Sequence, residues 1–148
     1  MNASPNDSPT LFIDRNSGGR SFHNLLIERG LKIVLHDEEF PQTAADEDWV
    51  MSVGERGWVV VTGDNATTSS PLFLLRLSKS KAFVFILHAL NGVSATDKAG
   101  CILKAYKTIK RLVGEHQPPA IWRIGKDGVA REFDFQKVLV KMHRRQRS

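Results

Sequence analysis

Gly57-Trp58-Val59-Val60-Val61-Thr62-Gly63-Asp64 decides the fold. Trp58–Val61 is an apolar run bounded by glycine on one side and by Thr62-Gly63-Asp64 on the other. That is the pattern of a buried strand ending in a polar turn. Just upstream, Trp49, Val50 and Val53 recur at i, i+1 and i+4, which predicts a helix from near Asp46 to Gly57. Working back, Leu31–Leu35 reads as a strand, and Asp37–Ala45, with its acids and Pro41, reads as a loop. Phe22, Leu25, Leu26 and Arg29 follow helical spacing, and Gly30 is placed to stop that helix. Leu11-Phe12-Ile13 is a short strand that ends at Asp14 and meets the turn Asn16-Ser17-Gly18-Gly19.

Working forward, Asn65–Ser70 is a polar loop, and Pro71 suits the first turn of a helix carrying Leu72, Leu75 and Arg76. Ala82–Leu87 is the most apolar strand. Ser94-Ala95-Thr96-Asp97 caps a helix whose stripe is Ile102, Leu103, Tyr106, Ile109, Leu112 and Val113. Gln117-Pro118-Pro119 ends it. Ile121–Ile124 and Val129–Phe133 flank Gly125-Lys126-Asp127-Gly128 as a hairpin. Phe135–His143 is a final helix and Arg144–Arg147 a basic tail. Strands alternating with helices predict a largely parallel sheet covered on both faces. Ligands of such sheets bind beyond the carboxyl ends of the strands.

The 148 residues fit one domain, and 41% hydrophobic with 25% charged residues excludes a wholly disordered chain. A single cysteine, Cys101, excludes an intrachain disulfide and a cysteine-based zinc module. The longest apolar run, Ala82–Leu87, falls far short of the ~20 residues of a membrane helix. Met1–Thr10 is polar, lacks a signal-peptide pattern and reads as a flexible lead, so the cytoplasm is the expected location. The net charge of +5 hints at a polyanionic partner. Its distribution says more: residues 1–57 hold 5 basic and 10 acidic side chains, residues 101–148 hold 12 and 4.

Three acidic positions fall where a ligand would bind. Asp14 follows the first strand, Asp64 follows the third, and Asp46 with Glu47 starts the helix between the second and third. Carboxylates gathered in one crevice repel by roughly 3 kcal/mol at ~5 Å and an effective dielectric of ~20. A bound divalent cation, or protonation of one acid, relieves that repulsion. Mg²⁺ and Mn²⁺ prefer such oxygen ligands, and the chemistry that suits them is hydrolysis of a phosphodiester by an activated water. Thr62 would orient a carboxylate or a water through its hydroxyl. The competing reading makes these acids simple caps and turn formers.

Phe12-Ile13-Asp14-Arg15-Asn16, His36-Asp37-x-x-Phe40-Pro41, Asp46-Glu47-x-Trp49 and Gly57-Trp58-Val59-Val60-Val61-Thr62-x-Asp64 together resemble the PIN-like domains grouped with VapC-type toxins. The resemblance covers roughly Leu11 to Leu87 and continues more weakly to Glu115. It implies a three-layer α/β/α sandwich around a mainly parallel sheet, and a Mg²⁺- or Mn²⁺-dependent endoribonuclease. Such a nuclease would be the toxin of a type II toxin–antitoxin pair, with RNA as substrate and a cognate antitoxin as protein partner. By motif, the metal-binding acids correspond to Asp14, Asp46 or Glu47, and Asp64, with Thr62 beside them. The chain departs from the pattern at Gly63 and Asn65-Ala66-Thr67-Thr68, where relatives often carry basic residues. For a fourth acid it offers His88, Asn91 and Asp97. A catalytically degenerate module that holds RNA or a partner without cutting is the alternative.

The candidate RNA contacts are Arg15 and Arg20 beside the crevice, and Lys104, Lys107 and Arg111 at i, i+3 and i+7 on one helix face. Each is also readable as a solvated surface charge. Arg144, Arg145 and Arg147 read equally as an RNA-binding or a solubilising tail. His36 and His88 end strands, but a hard oxygen site does not need histidine. Trp49, Trp58 and Tyr106 sit in apolar patterns and read as core, and Cys101 as a buried thiol. A receiver-like domain also clusters acids at strand ends, but it wants an acid pair after the first strand, where Asp14 is followed by Arg15. The expected organisation is a lead over 1–10, a nuclease domain over 11–117, and a hairpin, helix and basic tail over 118–148 packed on it. A homodimer is compatible with this class.

Overall fold

Five short runs, each apolar at nearly every position, become parallel strands because both faces of their sheet are covered. A strand that is buried on both sides has no reason to alternate. In the computed structural model the described residues are 8–14, 20–41, 44, 46–64, 68–90 and 93–147. The elements are β1 (Thr10–Ile13), α1 (Arg20–Glu28), β2 (Lys32–Leu35), α2 (His36–Glu39), α3 (Asp46–Glu55), β3 (Val59–Thr62), α4 (Pro71–Ser78) and β4 (Phe83–Leu87). A 3-10 turn (His88–Leu90) leads to α5 (Ala95–Glu115), β5 (Ala120–Ile124), β6 (Ala130–Phe133) and α6 (Phe135–Arg147).

One sheet runs in the order β2-β1-β3-β4-β5-β6. Its first five strands are parallel and β6 is antiparallel to β5. On one face Leu11, Ile13, Val59, Val61, Phe83 and Phe85 pack under α1 and α5, through Phe22, Leu26, Ile102 and Ile109. On the other, Phe12, Val60, Val84 and Ile86 pack under α3, α4 and α6, through Trp49, Val53, Phe73, Leu74 and Phe135. Successive side chains of a strand leave on opposite faces, so each four-residue strand feeds both cores. This is the three-layer α/β/α sandwich with a mainly parallel sheet.

The local signals act where the sequence places them. Gly30 and Gly57 follow α1 and α3 with φ of +84° and +74°, the left-handed conformation that ends a helix cheaply only at glycine. The Ser70 and Ser94 hydroxyls accept hydrogen bonds from the N–H groups of Phe73 (3.3 Å) and Asp97 (3.2 Å), capping α4 and α5. Two expectations change. The loop expected over 37–45 begins with the helical turn α2, where the Leu35 N–H donates to Glu38 Oε1 at 3.0 Å. The basic stretch expected as a tail is helical as far as Arg147, because neither glycine nor proline interrupts it. Residues 1–7 of the lead expected over 1–10, the turn 16–19 and the loop positions 65–67 lie outside the described residues, and the last residue of that lead, Thr10, opens β1. Among the described residues no helix is long and apolar enough to cross a membrane.

Candidate active site at the carboxyl ends of the strands

The strand order reverses between β1 and β3: β1 connects outward to β2, and the chain then crosses back to β3. The crevice above that switch is where such sheets bind ligands. Ile13 lies opposite both Leu35 and Val61, and Thr62 lies opposite Ile86. Ile86 lies opposite Arg123, which lies opposite Arg131. One residue beyond Ile13, Asp14 donates its backbone N–H to the Val61 carbonyl at 3.3 Å, so the strand pairing carries on to it. A single row therefore crosses the carboxyl end of the sheet: His36, Asp14, Thr62, Ile86, Arg123 and Arg131. Phe12 and Val60 belong to the α3 face, so Asp14 and Thr62, two residues further along, point to that same face.

Within the row, the Thr62 hydroxyl donates to Asp14 Oδ2 at 2.8 Å and accepts from the Asp64 N–H at 3.0 Å. Asp14 is 8% exposed and Thr62 3%, while Asp64 is half-buried. A hydrogen bond to a charged, buried acceptor contributes about 1.5–3 kcal/mol. Thr62 thus fixes one carboxylate and anchors the backbone that presents the other. Helix α3 runs back from this end of the sheet to the start of β3, so Asp46 and Glu47 open it beside the same crevice. The unpaired N–H groups of a helix start favour negative charge there. The side chains of Asp46, Glu47 and Arg20 lie outside the described residues, as does Arg15 altogether. So does Asn91, one of the three candidates for a fourth acid. Beneath the crevice Phe12 packs against Trp49, Trp58, Phe40 and His36 at ring separations of 5.0–6.1 Å. His36 and the two tryptophans are therefore core neighbours of the site.

The donor set suits a hard divalent cation in kind, since Asp14, Asp64 and Thr62 offer only oxygen. In number it is short. Among the described residues no group of three or more His, Cys, Asp or Glu side chains comes together to hold a metal. Asp97 is exposed in the first turn of α5, on the opposite layer. Lys104, Lys107 and Arg111 are exposed on that same helix, and Arg111 approaches Glu115 at 3.9 Å. The helix covers the α1 side of the sheet, so the structure separates these cations from the acids by the sheet itself. Asp97 and Lys104, with half-buried Cys101, line a cavity of about 440 Å³ between α5 and the ends of β4 and β5.

Among the described residues, two cations that sequence reading did not select lie on the acid face. Arg123 Nη2 donates to the Thr68 hydroxyl at 2.8 Å, and its guanidinium lies 4.8 Å from the centre of the Phe133 ring. Arg131 Nη2 pairs with Asp127 Oδ2 at 3.2 Å. The backbone N–H of Val129 and the Arg131 guanidinium hold the Asp127 carboxyl below the ordinary carboxylate range. That link is complete above the usual pKa of an aspartate and is lost as pH falls through the lowered one. The signal that would have found the arginines is the hairpin register. Counting outward from a loop of Gly125–Gly128 pairs Ile124 with Val129 and puts Arg131 opposite Trp122, on the wrong face. The actual loop is one residue longer: the Gly125 N–H bonds the Val129 carbonyl, and Ile124 pairs with Ala130. A slip of one residue turns every side chain over.

A family model described as a PIN like domain matches residues 9–89, from β1 to the turn after β4. The match takes in Asp14, Asp46, Glu47, Thr62 and Asp64 and stops before α5. No curated protein and no solved structure matched the chain. With that match over more than half of its length, the chain belongs to the PIN-like domain family.

Proposed function

We propose that the chain is a Mg²⁺- or Mn²⁺-dependent endoribonuclease. The observation that carries this is the Asp14–Thr62–Asp64 unit at adjacent strand ends, in which one buried hydroxyl donates to the Asp14 carboxylate and accepts from the Asp64 backbone N–H, inside the PIN-like segment. Asp14, Asp64 and one acid of the Asp46–Glu47 pair would hold the ion. When bound, the ion would activate a water and offset the charge developing on the phosphodiester. Thr62 keeps Asp14 oriented as an acceptor, and the N–H groups opening α3 favour the ionised state of the third acid. Within this reading the chain is the toxin of a toxin–antitoxin pair, restrained by a partner encoded beside it.

The test is cleavage of a mixed RNA pool by the purified chain, with and without chelator. Cleavage should stop on chelation and return with Mn²⁺. Asp64→Asn should lower the rate by ~10²-fold or more, the scale on which groups that stabilise transition-state charge act. Undiminished cleavage by a folded Asp64→Asn chain rejects the assignment. A second reading, a module that holds RNA without cutting it, is favoured by the count of only two carboxylates in the described part of the site. Binding without metal-dependent cleavage would select it.

A further inference from the structure

The row that begins at Asp14 ends in two arginines. Arg123 and Arg131 face each other across the β5–β6 pair, and like charges placed directly opposite destabilise a sheet. Neither points at random. Arg123 is held between the Phe133 ring and the Thr68 hydroxyl, and Arg131 is held by Asp127. Ile86, His88, Arg123, Ile124, Gly125 and Arg131 line an open cavity of about 400 Å³. A Cβ at Gly125 would lie 3.0 Å from Asp127 Oδ1 and 3.8 Å from Arg131 Nη1, so a side chain there would press on the Arg131–Asp127 pair. Among the described residues Arg123 makes no ion pair with a carboxylate; its hydrogen-bond partner is the neutral Thr68 hydroxyl.

We infer that this cavity is an anion site that takes a backbone phosphate of the RNA, next to the phosphodiester at the carboxylates. The inference rests on the ribonuclease reading for the identity of the anion. The placement itself comes from the register. The site lies on the same face and in the same row as Asp14 and Thr62. It is two strand spacings from β3, about 9.6 Å, with only Ile86 between. A guanidinium presents several N–H donors in a fixed fork suited to phosphate oxygens. Pinning that fork before the ligand arrives lowers the ordering cost of binding. The RNA strand would thus cross the sheet from its acidic side to its basic side, with His88 in the cavity lining.

The experiment is fluorescence anisotropy of a labelled single-stranded RNA titrated with the full chain, in chelator so that nothing is cut, over a range of salt. The Arg123→Gln/Arg131→Gln chain should bind about 10-fold more weakly or worse. Its slope of log affinity against log salt should fall by about 0.7, the value for one single-strand phosphate. Arg123→Lys/Arg131→Lys should recover much of the slope. Lys79→Gln/Lys81→Gln removes the same charge before the start of β4, at the far end of the sheet, and should leave both quantities near wild type. An arginine double variant that binds like the lysine control overturns the inference. Carboxylate-dependent cleavage by wild type then still leaves the ribonuclease reading standing. Arginine-dependent binding with no cleavage by wild type keeps the cavity and removes the ribonuclease reading. A wild-type chain that neither binds nor cleaves RNA removes both.

Discussion

Thr62 joins two positions that the chain keeps 50 residues apart, Asp14 and Asp64, through a single hydroxyl. Its methyl and hydroxyl do different work, so the two are separable. Thr62→Val keeps the shape and removes only the hydrogen bonds. Because Asp14 is buried, the loss should be about 1.5–3 kcal/mol of stability, read by urea titration. If Thr62 positions the site, the RNA-cleaving rate should fall further than the loss of folded protein explains. Unchanged stability would mean that the hydroxyl does not bear on Asp14. The residues of this unit were all legible in the sequence, because each stands at the end of an unmistakable apolar run. Arg123 and Arg131 were not. Their relationship exists only in the register of the hairpin, and one residue of loop length decides it.

Among the described glycines, Gly54 of α3 has the tightest surroundings. An added Cβ at Gly54 would lie 2.9 Å from the backbone nitrogens of Lys81 and Ala82. Both are main-chain atoms that cannot swing aside. Gly54 is what lets α3 lie against the entry to β4. Gly54→Ala should therefore lower stability by about 1–3 kcal/mol despite alanine's better helix propensity. A thermal melt checks it, and a raised midpoint would show that the 81–82 segment yields freely. The start and stop of α3 were legible from Asp46, the Trp49–Val50–Val53 spacing and Gly57, since those signals are local. Helix α2 was not, because four residues carry no periodicity; the turn closes on itself and on Arg56, which pairs with Glu39 at 3.2 Å. The cations expected on α5 were legible as one face. Which layer that face covers is a matter of how the chain crosses the sheet.

At the scale of the molecule, the segment matching the family ends before the sheet does. Strand β5 pairs along the whole of β4, and Ile121, Trp122 and Ile124 are buried in the two cores, with Phe135 of α6 beside them. At about 1.5–3 kcal/mol for each buried aliphatic or phenyl side chain, their loss rivals the 5–15 kcal/mol that holds a whole domain together. A chain cut after Gln117 should show no cooperative thermal transition by circular dichroism. A sharp melt would show that residues 118–148 are an accessory rather than part of the fold. The alternation of strands and helices made this sheet legible from sequence. Its order was not, since nothing in a strand announces its neighbours.

The two outermost strands bear on how copies of the chain meet. Each is four residues long, with Lys32 exposed on β2 and Arg131 and Glu132 exposed on β6. Short, charged borders discourage the joining of sheets between molecules. The sheet is thus bounded against extension on both sides, and a pair of these chains would meet through helices instead of continuing one another's strands.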